Sequence, residues 1–161
     1  MAITFKPAEA DDIPALAAIR AQDWETEAYW TNRIGSYLTG MHSPQQALAA
    51  RTALVALDGT SLVGFVAVHR TRRFSCDGEV QWINVDRQSR GRGIAGELLR
   101  EIGAWFVDQS ARRICVNVEP DNFIARKLYG RVGAKPLNKY WMIWEDSRDM
   151  VSPTIAPSAI N

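Results

Sequence analysis

The polar and apolar positions mark most of the elements of this chain before any other property is used. Ile3-Thr4-Phe5 alternates ahead of Pro7 and reads as a short strand. Asp11 or Asp12 then offers a helix cap, with Pro14 in the first turn, and Leu16 and Ile19 carry that helix to about residue 22. A second helix is predicted over 25–38 and ends at Gly40; its aromatics Tyr29, Trp30 and Tyr37 are too many for a solvent face. Ser43-Pro44 opens a shorter predicted helix through Ala50.

The pattern then turns β-rich. Runs 52–57 and 62–69 flank Asp58-Gly59, an antiparallel hairpin signal. A polar connection, 70–77, leads to a strand over 79–85. Ile94, Leu98, Leu99, Ile102, Trp105 and Phe106 form one stripe of a helix over 94–108. A strand follows over 113–118, then a helix over 122–131 stopped by Gly133, a strand around Pro136 and a last strand over 139–145. The order β-α-α-β-β-β-α-β-α-β-β describes a mixed α/β sheet covered by helices. Only the unit at 79–118 requires a right-handed parallel crossover. Residues 147–161, with Pro153 and Pro157, read as a loose tail, which leaves 1–146 as a single domain.

Composition narrows the class. The chain has 161 residues, enough for one domain with a real core, and a net charge of +1. That balance argues against general nucleic-acid binding, which usually brings a basic surplus. No apolar run reaches the length of a membrane span, and the first residues lack a signal-peptide pattern, so a cytoplasmic protein is expected. Cys76 and Cys115 suggest no stapled scaffold, and Cys115 in Ile114-Cys115-Val116 reads as a buried free thiol. His42 and His69 lack metal-ligand spacing, so no metal is expected. The cations are 15 Arg and 4 Lys, and Arg suits planar contact with phosphate or carboxylate.

The segment Gln88-Ser89-Arg90-Gly91-Arg92-Gly93-Ile94-Ala95 joins a strand to the most secure helix. A helix N-terminus presents unpaired N–H groups and a positive dipole end. Two glycines let backbone amides close around an anion, and Arg90 and Arg92 add charge at the rim. Residues 91–96 match the dinucleotide fingerprint GxGxxG, but five polar residues, 86–90, separate strand from glycine, and Asp108 lies in a helix where that motif needs a strand-end acid. The Walker pattern fails, because no Lys-Ser/Thr follows.

Val85-x-x-Gln88-x-x-Gly91-x-Gly93-Ile94-Ala95 resembles motif A of the GCN5-related N-acetyltransferase (GNAT) superfamily, Q/R-x-x-G-x-G/A. The run Asn122-Phe123-Ile124-Ala125-Arg126-Lys127-Leu128-Tyr129, continuing to Gly133-Ala134, resembles that family's next signature and lies after the next strand. The specific part of the resemblance is 79–134. Arg87 stands where the family often has Pro nearby, which leaves the loop's shape open. The resemblance implies a mixed sheet of six to seven strands, helices on both faces and two splayed parallel strands. It also implies acetyl-CoA as cosubstrate, held by Ile83, Val85, Gln88, Arg90, Gly91, Arg92, Gly93, Ile94, Ala95, Asn122 and Tyr129. A homodimer is common in such proteins, though no interface is legible.

The implied chemistry is acetyl transfer to a primary amine by direct attack. It needs a proton sink, a donor to the carbonyl oxygen and an acid for the leaving sulfur. By resemblance Tyr129 is the acid; by spacing alone it is equally a core aromatic. Glu79, six residues before Val85, is the candidate base, with an exposed strand-start carboxylate as the plainer reading. Gln81 is expected on the same strand face. Trp24, Glu25, Trp82 and Trp141 are candidates for the acceptor side, a small-molecule or peptide amine, because aromatic surfaces and carboxylates hold a cation; core packing explains most of them as well. The charge is also uneven. Residues 70–92 hold six Arg against three acids, and residues 1–30 hold six acids against Lys6 and Arg20, as a phosphate edge and an acidic acceptor side would require. The rivals are a non-catalytic acyl-CoA-binding domain of the same fold and a Rossmann-type nucleotide binder.

Overall fold

The computed structural model of the chain describes residues 2–152. Seven strands form one sheet in the order β1-β2-β3-β4-β5-β7-β6. They are β1 (Ile3–Pro7), β2 (Ala47–Asp58), β3 (Ser61–Thr71), β4 (Gly78–Val85), β5 (Ile114–Asn117), β6 (Lys135–Asn138) and β7 (Trp141–Trp144). The helices are α1 (Ile13–Ala21), α2 (Glu27–Leu38), α3 (Ile94–Asp108), α4 (Phe123–Arg131) and α5 (Arg148–Val151). Every strand pairing is antiparallel except β4–β5, the pair joined by the α3 crossover.

Helices cover both faces, as expected. On one face the α3 stripe of Leu98, Leu99, Ile102 and Phe106 is fully buried against Val66, Val68 and Ile114. Each such side chain contributes roughly 1.5–3 kcal/mol by leaving water. On the other face Leu16, Trp30, Ile34 and Tyr37 of α1 and α2 pack on Val55, Phe65 and Trp82. Thr26 Oγ1 caps α2 by accepting from Tyr29 N at 3.1 Å. Asp12 stands at the start of α1 but turns its carboxylate back, accepting from Glu9 N at 2.8 Å instead of capping the helix. Cys76 and Cys115 are both free and buried. No helix among the described residues is long and apolar enough to cross a membrane.

Two expectations fail. The predicted helix through Ala50 is instead the start of β2. Ala47 pairs with Thr71 and Arg51 with His69, and Gln46 at φ +68° turns the chain into the strand. The Ala-Leu-Ala-Ala run favours helix locally, and ladder pairing with β3 overrides that preference. Residues 147–152, expected to be loose tail, are packed. Ser147 Oγ donates to Ala111 O at 2.6 Å, and Met150 is fully buried where α5 meets α3. The rest of the expected tail, 153–161, lies outside the described residues.

Candidate active site

The β4–β5 ladder is short. It runs from Gly78↔Ile114 to Val80↔Val116 and stops, while β4 continues to Val85. The two parallel strands therefore separate, and β4 keeps an unpaired edge from Gln81 onward. A cleft of about 1030 Å³ opens there, walled by β4, residues 116–119, α4, the first turns of α3 and the end of α1. Gln81 is skipped in the β3–β4 register, where Ala67 faces Trp82 and Val68 faces Val80. This bulge interrupts the strand alternation, and Gln81 and Glu79 both reach the cleft wall.

At one end of the cleft lies the glycine segment. Asp86 closes β4 and accepts from Gln88 N at 3.3 Å, which folds Arg87–Ser89 into a single turn. Gly91 and Gly93 have φ of +81° and +76°, and a Cβ on either would meet nothing within 4 Å. The glycines are thus required by backbone conformation, not by crowding. Gly93 is the N-cap of α3 and brings no capping side chain. Gly93, Ile94, Ala95 and Gly96 line the cleft at the positive end of a 15-residue helix. Uncapped N–H groups at such an end suit a pyrophosphate.

The loop arginines behave differently from one another. Arg90 is on the cleft wall but already committed: Nε donates to Val85 O at 3.1 Å and Nη2 pairs with Asp23 at 2.9 Å. Arg92 leaves the cleft and pairs with Asp58 at 2.9 Å beside the β2–β3 turn. Gln88 is exposed and also off the cleft wall. Ile83 and Val85 lie on the wall.

Tyr129 stands on the opposite wall, on α4. It is 5% exposed and packs edge-to-face on Trp144, with ring centroids 5.8 Å apart, yet it lines the cleft. Burial pushes its hydroxyl up to about 12, against the opposing influence of the Arg20 charge, so it stays a proton donor at neutral pH. Asn122 caps α4 by accepting from Ala125 N at 3.2 Å and also faces the cleft. Glu79 is not the exposed carboxylate of the plainer reading. It is 4% exposed, accepts from Arg73 Nε at 3.0 Å, lies 3.6 Å from His69 Nε2, and reaches the cleft wall. Tyr37 Oη and His69 Nδ1, 2.8 Å apart, extend this buried polar group away from the cleft.

A family model of the acetyltransferase (GNAT) family matches residues 16–134. The chain belongs to the GNAT family. Solved structures share its fold at low identity. A GNAT-family protein from Desulfovibrio desulfuricans superposes with a TM-score of 0.73 at 15% identity, over 89% of this chain and 99% of that one. The PaiA N-acetyltransferase from Thermoplasma acidophilum, solved with coenzyme A, gives 0.66 at 13% identity, over 90% and 99%. A spermidine N-acetyltransferase chimera from Vibrio cholerae gives 0.69 at 17%, over 92% and 98%. No curated protein sequence matches the chain.

The residues expected to face an acceptor are the ones the fold disperses most. Trp24 and Trp82 line the cleft, Trp24 being 51% exposed, but Glu25 and Trp141 do not. Trp141 packs with Phe74 and under Arg73 on the far side of β5, because β7 follows β5 in the sheet. Sequence reasoning missed Arg20, Asp23 and Asn84, all on the wall. Arg20 stacks on Trp30, Trp24 and Trp82, with its guanidinium carbon 4.3, 4.7 and 5.8 Å from the ring centroids. Its Nη1 donates to Asn84 Oδ1 at 2.7 Å. Asp23 pairs with Arg87 and Arg90, each at 2.9 Å, tying α1 to the glycine loop. The one sequence signal for this box was Arg20 and Trp24 at helical i, i+4 spacing.

Proposed function

We propose that the protein is an N-acetyltransferase that moves the acetyl group of acetyl-CoA to a primary amine by direct attack in a ternary complex. The observation that carries this reading is the cleft at the β4–β5 separation, with an uncapped helix N-terminus at one end and a buried, protonated Tyr129 on its wall. Acetyl-CoA supplies an activated thioester. The residues present suit it: amides 93–96 and the α3 dipole for the pyrophosphate, and the β4 edge beyond the β4–β5 ladder at Ile83 and Val85, where Val85 O already accepts from Arg90, for the pantetheine amides. The amine nitrogen forms a bond to the carbonyl carbon as the carbon–sulfur bond breaks. Backbone N–H near Val85 stabilises the charge developing on the carbonyl oxygen. Tyr129 gives its proton to the departing sulfur, and the amine gives up its own, through water, to Glu79. Glu79 Oε1 already accepts from Arg73, so the arginine fixes the carboxylate in place.

Thermal-shift measurements with acetyl-CoA, NAD and ATP test the cofactor, since stabilisation follows ligand concentration over Kd. Acetyl-CoA alone should stabilise the protein. CoA-thiol release against a panel of amines tests the enzyme; binding without release under any amine would leave only an acyl-CoA-binding module.

A further inference from the structure

Arg20 is a cation without a counter-ion at the wall of the cleft. The acids around it are engaged elsewhere: Asp23 with Arg87 and Arg90, Glu79 with Arg73. Arg90 and Arg100, also on the wall, have partners in Asp23 and Glu97, and Arg131 there is exposed to water. Arg20 forms no ion pair with a described acid, although the charge of Asp23, itself paired with Arg87 and Arg90, still acts on it. Its Nε–H is closed off from solvent and unpartnered, and it makes a single hydrogen bond, to Asn84. A guanidinium carries five donors. Three tryptophans stabilise the charge without neutralising it, and a charge withdrawn from water calls for a paired anion. Desolvation pulls the group down to about 10, so it remains charged at neutral pH. Arg20, at the end of α1, and Tyr129, on α4, line the same cleft.

We propose that the acceptor is a primary amine that also carries a carboxylate, and that Arg20 binds that carboxylate while the amine lies between β4 and Tyr129. This rests on the acetyltransferase reading above. A carboxylate matches one guanidinium in charge and in its planar two-point geometry. A phosphate dianion would leave a second charge uncompensated among tryptophans. A polycation fits worse at this wall, where Arg20 repels it, Asp23 is already neutralised and Glu25 is off the cleft; the exposed Glu119 is a cleft carboxylate contributed by the segment before α4.

The test is CoA-thiol release by the full chain with matched acceptors: amino acids, their decarboxylated amines and their carboxamides, for example leucine, isoamylamine and leucinamide, with spermidine as the polycation. Wild type should favour the carboxylate member by about 10²-fold in kcat/KM. Arg20→Gln should remove that preference by slowing the acid, while the decarboxylated amine stays within about 3-fold and acetyl-CoA still stabilises the variant. Arg20→Lys should retain part of the preference. Equal or better use of the decarboxylated amine, the carboxamide or spermidine overturns the proposal. So does an equal slowing of both members by Arg20→Gln, which would make Arg20 an aid to the acetyl group or to the fold. If Arg20→Gln does not fold, the wild-type ratio decides alone. Turnover confined to amines without carboxylate sinks this proposal and leaves the enzyme reading intact. Neither acetyl-CoA binding nor CoA release with any amine sinks both.

Discussion

Tyr129→Phe isolates a single proton. The ring is held by its edge-to-face contact with Trp144 and by the surrounding core, and Phe keeps that volume. No cavity forms, so the stability cost should stay within about 1 kcal/mol, the scale of one hydroxyl's net contribution. The catalytic cost is larger. An acid poised on the leaving group is worth ~10²–10⁴-fold. At 1.36 kcal/mol per decade that is roughly 2.7–5.4 kcal/mol of barrier. The two scales separate a packing role from a chemical one. The assay is kcat by CoA-thiol release, beside a urea midpoint and a thermal shift with acetyl-CoA. The expected outcome is a kcat loss in that range with midpoint and acetyl-CoA stabilisation nearly unchanged. The hydroxyl, pushed up to about 12, should also give wild type no falling limb in kcat below roughly pH 10. A Phe variant with full kcat, or one whose loss follows its loss of stability, would refute the acid role.

Three further outcomes follow from the same geometry. Glu79→Gln should lower kcat by ~10²–10⁴-fold with acetyl-CoA stabilisation nearly unchanged, and a variant with full kcat would take the base role from Glu79. The Asp23 carboxyl is held below its ordinary 3.8, first by the hydrogen bond from Arg87, with Arg90 adding to it against partial burial. Its contribution is complete above the unfolded pKa and is lost as pH falls through the lower folded value. Asp23→Asn should therefore be less stable than wild type at pH 7 by about 0.5–1 kcal/mol, since both guanidiniums are largely exposed, and the gap in urea midpoints should close in acid. A Cβ at residue 78 would overlap Phe106 Cε1 and sit 2.8 Å from Ile114 Cδ1, both fully buried, so Gly78→Ala should cost about 1–3 kcal/mol by circular-dichroism unfolding; a loss under about 0.5 kcal/mol would mean the β4–β5–α3 junction is loosely packed.

What the sequence determined by itself was the local part. The glycine loop, α3 and α4 were legible because each depends on residues close in the chain: φ above zero at Gly91 and Gly93, an Asn122 cap, apolar positions at helical spacing. The hairpin β2–β3 and the single parallel crossover followed from period and order. Tertiary structure decided the rest, because the remaining contacts join residues far apart in sequence. Pairing with β3 made a strand of 47–50 against its helix preference. The bulge at Gln81 and the short β4–β5 ladder set which side chains meet the cleft. Charge was the least legible property. The sums over residues 1–30 and 70–92 suggested an acidic acceptor side and a basic loop, but Asp23 crosses to Arg87 and Arg90, and Asp58 to Arg92, and these pairs cancel. Charge left over in a site depends on which partners the fold brings within a few ångströms. Here that remainder includes Arg20, boxed by tryptophans from the α1–α2 connection, α2 and β4 that only the folded chain assembles.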